Sequence, residues 1–165
     1  MPNFACAVTC MDGRIQAAVR KHLKTEYIVD YVDIVDEPGM NKFLAENNTI
    51  RFFWIRLILC CLSLQLRKIF NLVILANTRR KIGISVLNHK VKVVAIVGHP
   101  QCAGNKCNKK EQVEQLSKAK KVVESFGFKV KIVLLWVRED WKTVEVIDRD
   151  GSISVIRSYN VYTAQ

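Results

Sequence analysis

The segment at residues 92–98, KVVAIVG, constrains the fold of this chain more than any other feature. It is apolar on both of the alternating faces of an extended strand, which is typical of a central strand in a parallel sheet. Parallel neighbours require crossover connections, which helices usually supply. The segment therefore predicts an α/β protein with helices on both sides of its sheet.

Other apolar runs alternate with helical patterns in the order that such a sheet requires. The remaining strand candidates are residues 4–10, 27–35, 129–137, and a closing pair at 143–147 and 152–156. Helices are predicted at residues 13–24, 40–46 and 109–126. We expect a mostly parallel central sheet flanked by helices, of the doubly wound, Rossmann-like kind.

Length and charge narrow the class of protein further. The chain has 165 residues, half of them hydrophobic, which fits one domain with a packed core at 1–165 and excludes a chain disordered throughout. It carries 26 basic and 15 acidic residues, but eight of the basic residues lie in the stretch 50–90, which has no Asp or Glu. Because the excess is concentrated there, no nucleic-acid partner is expected.

Residues 50–76 form an apparent insertion that is both hydrophobic and basic. Its longest uncharged run, 57–66, has ten residues. As a helix this run would rise about 15 Å, half of the roughly 30 Å that a bilayer core requires. The composition therefore favours a buried or interface helix over attachment to a membrane surface, and it does not predict a membrane span.

The first residues and the cysteines indicate the compartment. The start, MPNFAC, lacks the basic segment and apolar run of a secretory signal, so a cytoplasmic location is expected. The six cysteines are then expected to be thiols or metal ligands. Cys107 is interpreted as a spare thiol, and His22 and His89, which adjoin lysines, are expected to be exposed.

Two short motifs follow the first and third predicted strands, and both contain metal-binding residue types. They are CMDGR at 10–14 and HPQC at 99–102. If these strands are neighbours, the motifs meet at the carboxyl edge of the sheet, where strand order reverses and ligands bind. Two thiolates and one imidazole suit Zn²⁺ and leave a fourth position for water, as in catalytic zinc sites. We therefore predict that Cys10, His99 and Cys102 bind zinc.

The same first motif contains a carboxylate and a guanidinium at close spacing. Asp12 lies two residues beyond Cys10, within reach of water on the metal, and Arg14 can hold this carboxylate through two hydrogen bonds. Each residue alone also has a structural interpretation, because cysteines are often core residues and Asp-Gly often marks a turn. The occurrence of these residues together favours a metal site over the separate structural interpretations.

The two motifs together, CMDGR at 10–14 and VGHPQCAGN at 97–105, resemble the paired signature of the β-class carbonic anhydrases, including small carbonic-anhydrase-like members. The resemblance implies that Cys10, His99 and Cys102 bind zinc and that Asp12 and Arg14 form the catalytic dyad. It also implies the Rossmann-like β-carbonic anhydrase architecture, a homodimer or higher homo-oligomer, and reversible hydration of carbon dioxide to bicarbonate by zinc-bound hydroxide. The chain would then be a carbonate dehydratase, a zinc lyase.

Two alternatives remain open at this stage. The same site suits a hydrolase of carbonyl sulfide or carbon disulfide, which are also small linear molecules. A non-catalytic module that retains zinc and binds a membrane or nucleic acid through its basic apolar segment is the second alternative.

Overall fold

A six-stranded sheet runs through the part of the chain that the structure describes. The computed structural model describes residues 2–47, 62–148 and 150–160, and side chains from residue 69 onward in the helix that begins at Leu62. The strands are β1 Phe4–Thr9, β2 Tyr31–Asp36, β3 Val93–Gly98, β4 Lys131–Val137, β5 Thr143–Ile147 and β6 Ile153–Ser158. The helices are α1 Gly13–Tyr27, α2 Met40–Glu46, α3 Leu62–Leu87 and α4 Lys109–Ser125.

The strand order is β2-β1-β3-β4-β5-β6. The first four strands are parallel to one another, whereas β5 and β6 pair antiparallel at one edge. This confirms the prediction of a mostly parallel α/β sheet. Because β1 lies between β2 and β3, the strand order reverses there, and the carboxyl ends of β1 and β3 are neighbours.

Strand β3 lies in the middle of two apolar cores, as its sequence predicts. All six of its residues are buried. Val93 and Ala95 belong to the core on the α1 side of the sheet. Val94 and Ile96 belong to the core on the opposite side, which residues of α2, α3 and α4 complete. Helices therefore cover both faces.

The boundary between α1 and β2 differs from the prediction. The sequence predicts a strand from residue 27, but α1 continues through Tyr27 and β2 begins at Tyr31. Tyr27 lies four residues after Leu23, so it extends the apolar stripe of the helix and packs against the core. Ile28 ends the helix in a left-handed conformation with φ 52°.

Of the hydrophobic segment 50–76, residues 62–76 fall among the described residues. Residues 50–61 lie outside the described residues, and α3 continues without interruption past residue 76. Ile69, Phe70 and Val73 expose 57–65% of their surface, whereas Ile82 is fully buried. None of the helices in the described ranges is long and apolar enough to cross a bilayer. The insertion at 50–76 stays a prediction.

His22 is buried, contrary to the expectation of an exposed side chain. It lies four residues after Ala18 on the apolar stripe of α1, and its Nδ1 is 2.8 Å from the hydroxyl of Tyr159. Burial is the main cause that lowers the pKa of His22. The charge of Arg157 lowers this pKa further, whereas the charge of Glu26 raises it. The lysine beside it in sequence points elsewhere because adjacent helical residues lie about 100° apart.

The lowered pKa of His22 predicts a loss of stability in mild acid. Its unfolded-state pKa is about 6.5, and the folded value is lower. Protonation therefore favours the unfolded state, so this contribution is complete above about pH 6.5 and falls as the pH drops below that value. Urea unfolding at pH 7.0 and 5.5 should show a larger decrease for the natural chain than for His22→Asn, and equal decreases would contradict the prediction.

Candidate metal centre

The sheet brings the predicted metal ligands to one edge. Cys10 directly follows β1, His99 directly follows β3, and Cys102 lies three residues further along the same loop. Because β1 and β3 are parallel neighbours, both chains leave the sheet at the same edge. All three residues are buried.

The donor atoms of these residues lie close enough to share one ion. The two sulfurs and a ring nitrogen lie within 4.8 Å of one another, and the sulfurs are 3.7 Å apart. A tetrahedral ion with Zn–S bonds of about 2.3 Å would separate two sulfur ligands by about 3.8 Å. The spacing of Cys10 and Cys102 therefore fits zinc.

His99 presents one free ring nitrogen to this cluster. Its Nδ1 donates a hydrogen bond to the carbonyl oxygen of Pro100 at 2.8 Å. Its Nε2 is buried and has no hydrogen-bond partner among the described residues. A hydrogen bond of this kind at Nδ1 fixes the tautomer in which Nε2 carries the lone pair, as in metal-binding histidines. The unpartnered nitrogen is the strongest indication that these residues could hold a metal.

The two thiols have opposite tendencies to ionise. Burial raises the pKa of Cys10, but hydrogen bonding by His99 and by the N–H of Gly39 lowers it more. The Gly39 nitrogen is 3.5 Å from the sulfur. The resulting pKa is about 7. Burial and the charge of Cys10 raise the pKa of Cys102 to about 11. Two adjacent thiolates repel each other, and a dication between them would remove this conflict.

Asp12 and Arg14 form a bidentate ion pair beside the cluster. Arg14 Nε lies 3.0 Å from Asp12 Oδ1, and its Nη2 lies 2.6 Å from Oδ2. Hydrogen bonds from Arg14 are the main cause that lowers the pKa of Asp12 to about 2. Asp12 also accepts from the backbone N–H of Arg14 and so caps α1. The carboxylate is thereby held ionised and fixed in direction.

Sequence reasoning missed a set of buried amides that support the histidine loop. Gln112 donates to the carbonyl oxygen of His99 at 2.8 Å and accepts from Asn41 at 3.0 Å. Asn105 donates to Asn41 at 3.2 Å. The three amides are only 1–3% exposed. Gln112 lies four residues before Leu116 on the buried face of α4, and a polar residue on an apolar stripe was the one available signal.

Two glycines allow the surrounding loops to meet. A Cβ on Gly39 would lie 2.5 Å from the carbonyl oxygen of Gly104, and one on Gly104 would lie 2.6 Å from the nitrogen of Gly39. Gly39 also has φ +59°, a conformation that side chains disfavour. This contact holds the N–H of Gly39 toward the sulfur of Cys10.

Fold and site together define an α/β protein with a Cys-His-Cys cluster able to hold a metal, located where the strand order reverses. A sequence profile of the family described as "Putative carbonic anhydrase" matches residues 1–58 and 67–148. The chain belongs to this family, as the resemblance of its two motifs predicts. The match leaves out residues 149–165 and an internal stretch, 59–66, which lies within the hydrophobic segment 50–76.

Solved structures with a similar fold include two β-carbonic anhydrases. Isoform I of the enzyme from Trichomonas vaginalis is 13% identical, with a TM-score of 0.40 and coverage of 94% of this chain and 83% of that one. The enzyme of Aspergillus fumigatus is 13% identical, with a TM-score of 0.36 and coverage of 99% and 78%. No curated protein matches this chain.

The amide network predicts that Gln112 supports metal affinity. Gln112→Met keeps the size of the side chain but leaves the carbonyl oxygen of His99 and the amide of Asn41 without partners. Loss of such an outer contact typically costs 10–100-fold in metal affinity. Competition with a zinc chelator should show a weakening of roughly that size. Ser85→Ala, which alters another buried polar residue near Cys6, is the control and should leave affinity unchanged.

Proposed function

We propose that this chain binds one zinc ion through Cys10, His99 and Cys102 and catalyses the reversible hydration of carbon dioxide to bicarbonate. The observation that carries the proposal is the buried, unpartnered Nε2 of His99, in a ring that brings a nitrogen within 4.8 Å of two sulfurs in a member of the carbonic anhydrase family. The Asp12–Arg14 pair beside the cluster adds a second group suited to the reaction.

Three protein ligands leave one position for the reacting water. Zinc, when bound, supplies a Lewis acid that lowers the pKa of water in that position to about 7, which provides a nucleophile near neutral pH. The two thiolates would neutralise the charge of the ion. The hydrogen bond from His99 to Pro100 fixes the orientation of the imidazole and keeps Nε2 directed at the metal position.

Asp12 would orient the attacking oxygen and discriminate between ligands. With a pKa of about 2 it is ionised at any physiological pH, so it only accepts hydrogen bonds. It therefore favours a ligand that carries a proton on the oxygen facing it, such as water or bicarbonate, and repels an anion without one. Arg14 keeps the carboxylate from turning toward the metal. The homo-oligomer and the cytoplasmic location implied by the sequence remain predictions.

Zinc binding is expected at one ion per chain. Elemental analysis of the full chain, purified under reducing conditions, should show this stoichiometry, and Cys102→Ser should lose most of the metal. Cys107→Ser is the matched control because the Cys107 sulfur contacts Asn105 and lies outside the ligand group. Absence of zinc from the natural chain, or equal loss in both variants, would refute the proposed ligand set.

Hydration activity is expected to depend on Asp12. Asp12→Asn should keep the helix cap and the zinc, since Asn caps helices as well as Asp does, but it introduces a donor and removes the charge. Stopped-flow measurement of carbon dioxide hydration should show kcat/KM lowered by about 10²-fold or more.

Two comparisons complete this test. Asp33→Asn changes a carboxylate on β2 that pairs with His89 and should retain full activity. Turnover of carbonyl sulfide or carbon disulfide without carbon dioxide hydration would reject the proposed reaction, and an unchanged rate in Asp12→Asn would reject the role of Asp12.

A further inference from the structure

Two residues that contact Arg14 have left-handed backbone conformations. Gln101 has φ 51° and Trp141 has φ 58°. Side chains crowd the backbone in this region, so that glycine and asparagine usually occupy it. Of the described residues other than glycine, four have positive φ, and the remaining two, Ile28 and Lys90, follow the ends of α1 and α3. Two of the four strained positions thus meet at one side chain.

Both residues contact the guanidinium of Arg14. Its carbon Cζ lies 4.1 Å from the centre of the Trp141 ring. Its Nη1 lies 3.3 Å from the side-chain oxygen of Gln101, and its Nη2 lies 3.3 Å from the Gln101 carbonyl oxygen. Together with the bidentate pair to Asp12, these contacts restrain a side chain that is 44% exposed.

Trp141 is held in its conformation by the turn between β4 and β5. Its N–H donates to the carbonyl oxygen of Arg138 at 3.0 Å. Asp140 closes the turn by accepting from the N–H groups of Lys142 at 3.0 Å and Thr143 at 2.8 Å. A turn of this shape would accept glycine or asparagine with less strain. The presence of tryptophan there indicates that contacts of its ring offset part of the strain.

The ring of Trp141 also lies next to His99, one of the three candidate metal ligands. Its centroid is 6.3 Å from that of the His99 ring, with 60° between the planes. The indole therefore lies beside both a candidate metal ligand and Arg14, although it belongs to neither motif.

We propose that Gln101 and Trp141 form a clamp that positions Arg14 and, through it, the carboxylate of Asp12. Both are positioning residues. The indole face attracts the guanidinium by a cation–π interaction, and the two oxygens of Gln101 fix its rotation in the plane. The importance of the clamp for catalysis rests on the proposed function, whereas its effect on Arg14 does not.

Exchange of the Arg14 Nε proton with solvent tests the clamp directly. In ¹H–¹⁵N spectra of the full chain, with and without added zinc, Arg14→Lys identifies the resonance by its loss. Trp141→Asn suits the left-handed backbone but lacks the ring, and it should accelerate exchange roughly fivefold. Trp141→Phe keeps an aromatic face and should recover most of the protection. Unchanged exchange in Trp141→Asn overturns the proposal.

Ile28→Asn is the matched control, because it places asparagine at another left-handed position that is 82% exposed. Its Arg14 exchange should equal that of the natural chain, and equal acceleration in both variants would overturn the clamp by indicating a global effect. If Trp141→Asn does not fold, Gln101→Asn, a change at an exposed loop residue, decides the matter by the same measurement.

Activity measurements separate this proposal from the proposed function. If the natural chain does not hydrate carbon dioxide, the proposed function fails while the exchange experiment still decides whether the clamp exists. If it does, Trp141→Asn should lower kcat at unchanged zinc occupancy, with Ile28→Asn unaffected. Faster Arg14 exchange with an unchanged kcat would reject the positioning role.

Discussion

The site depends on the parallel pairing of β1 with β3. The register of this pair places Cys6, Ala7 and Val8 opposite Val94, Ala95 and Ile96. The two strands therefore end at the same edge of the sheet, and Cys10 and His99 follow them there. A slip of one residue in either strand would turn its side chains to the opposite face of the sheet and separate the sulfurs from the imidazole. Both strands are buried on both faces, which makes such a slip costly. Core packing thus sets the geometry of the Cys-His-Cys group.

The charged side chains near this edge are paired, whereas the buried ring nitrogen of His99 has no hydrogen-bond partner in the part of the chain that the structure describes. Asp12 is matched by Arg14, and the fully buried Glu145 on β5 is matched by Lys109 and Arg138. Buried charges are tolerated when they are paired in this way. The Nε2 of His99 is left without a partner, and the neighbouring sulfurs repel each other when both are ionised. A dication would satisfy the nitrogen and both sulfurs at once, and the proposed zinc would therefore account for such unfavourable groups in a shared buried position.

Local sequence patterns predict the sheet and the two motifs, but they do not predict contacts between distant loops. The apolar run of β3 and the spacing of CMDGR and HPQC are visible in the sequence because each depends on neighbouring residues. Gln101 and Trp141 are 40 residues apart and meet at Arg14 through the tertiary fold, which places the turn between β4 and β5 beside the histidine loop. An adjoining lysine and a place near a predicted helix end favour an exposed His22, but the side chain lies on the buried face of α1.

The energetic balance at Trp141 accounts for the location of the strain. A left-handed conformation costs about 1–2 kcal/mol in a residue with a side chain. A cation–π contact with a partly exposed guanidinium contributes about 0.5–1 kcal/mol, and more as water is excluded. The contact therefore offsets only part of the backbone cost, so tryptophan at this position gives no net stability over asparagine. The tryptophan ring instead restrains Arg14 beside Asp12. Backbone strain of this kind persists in proteins mainly where it positions functional groups.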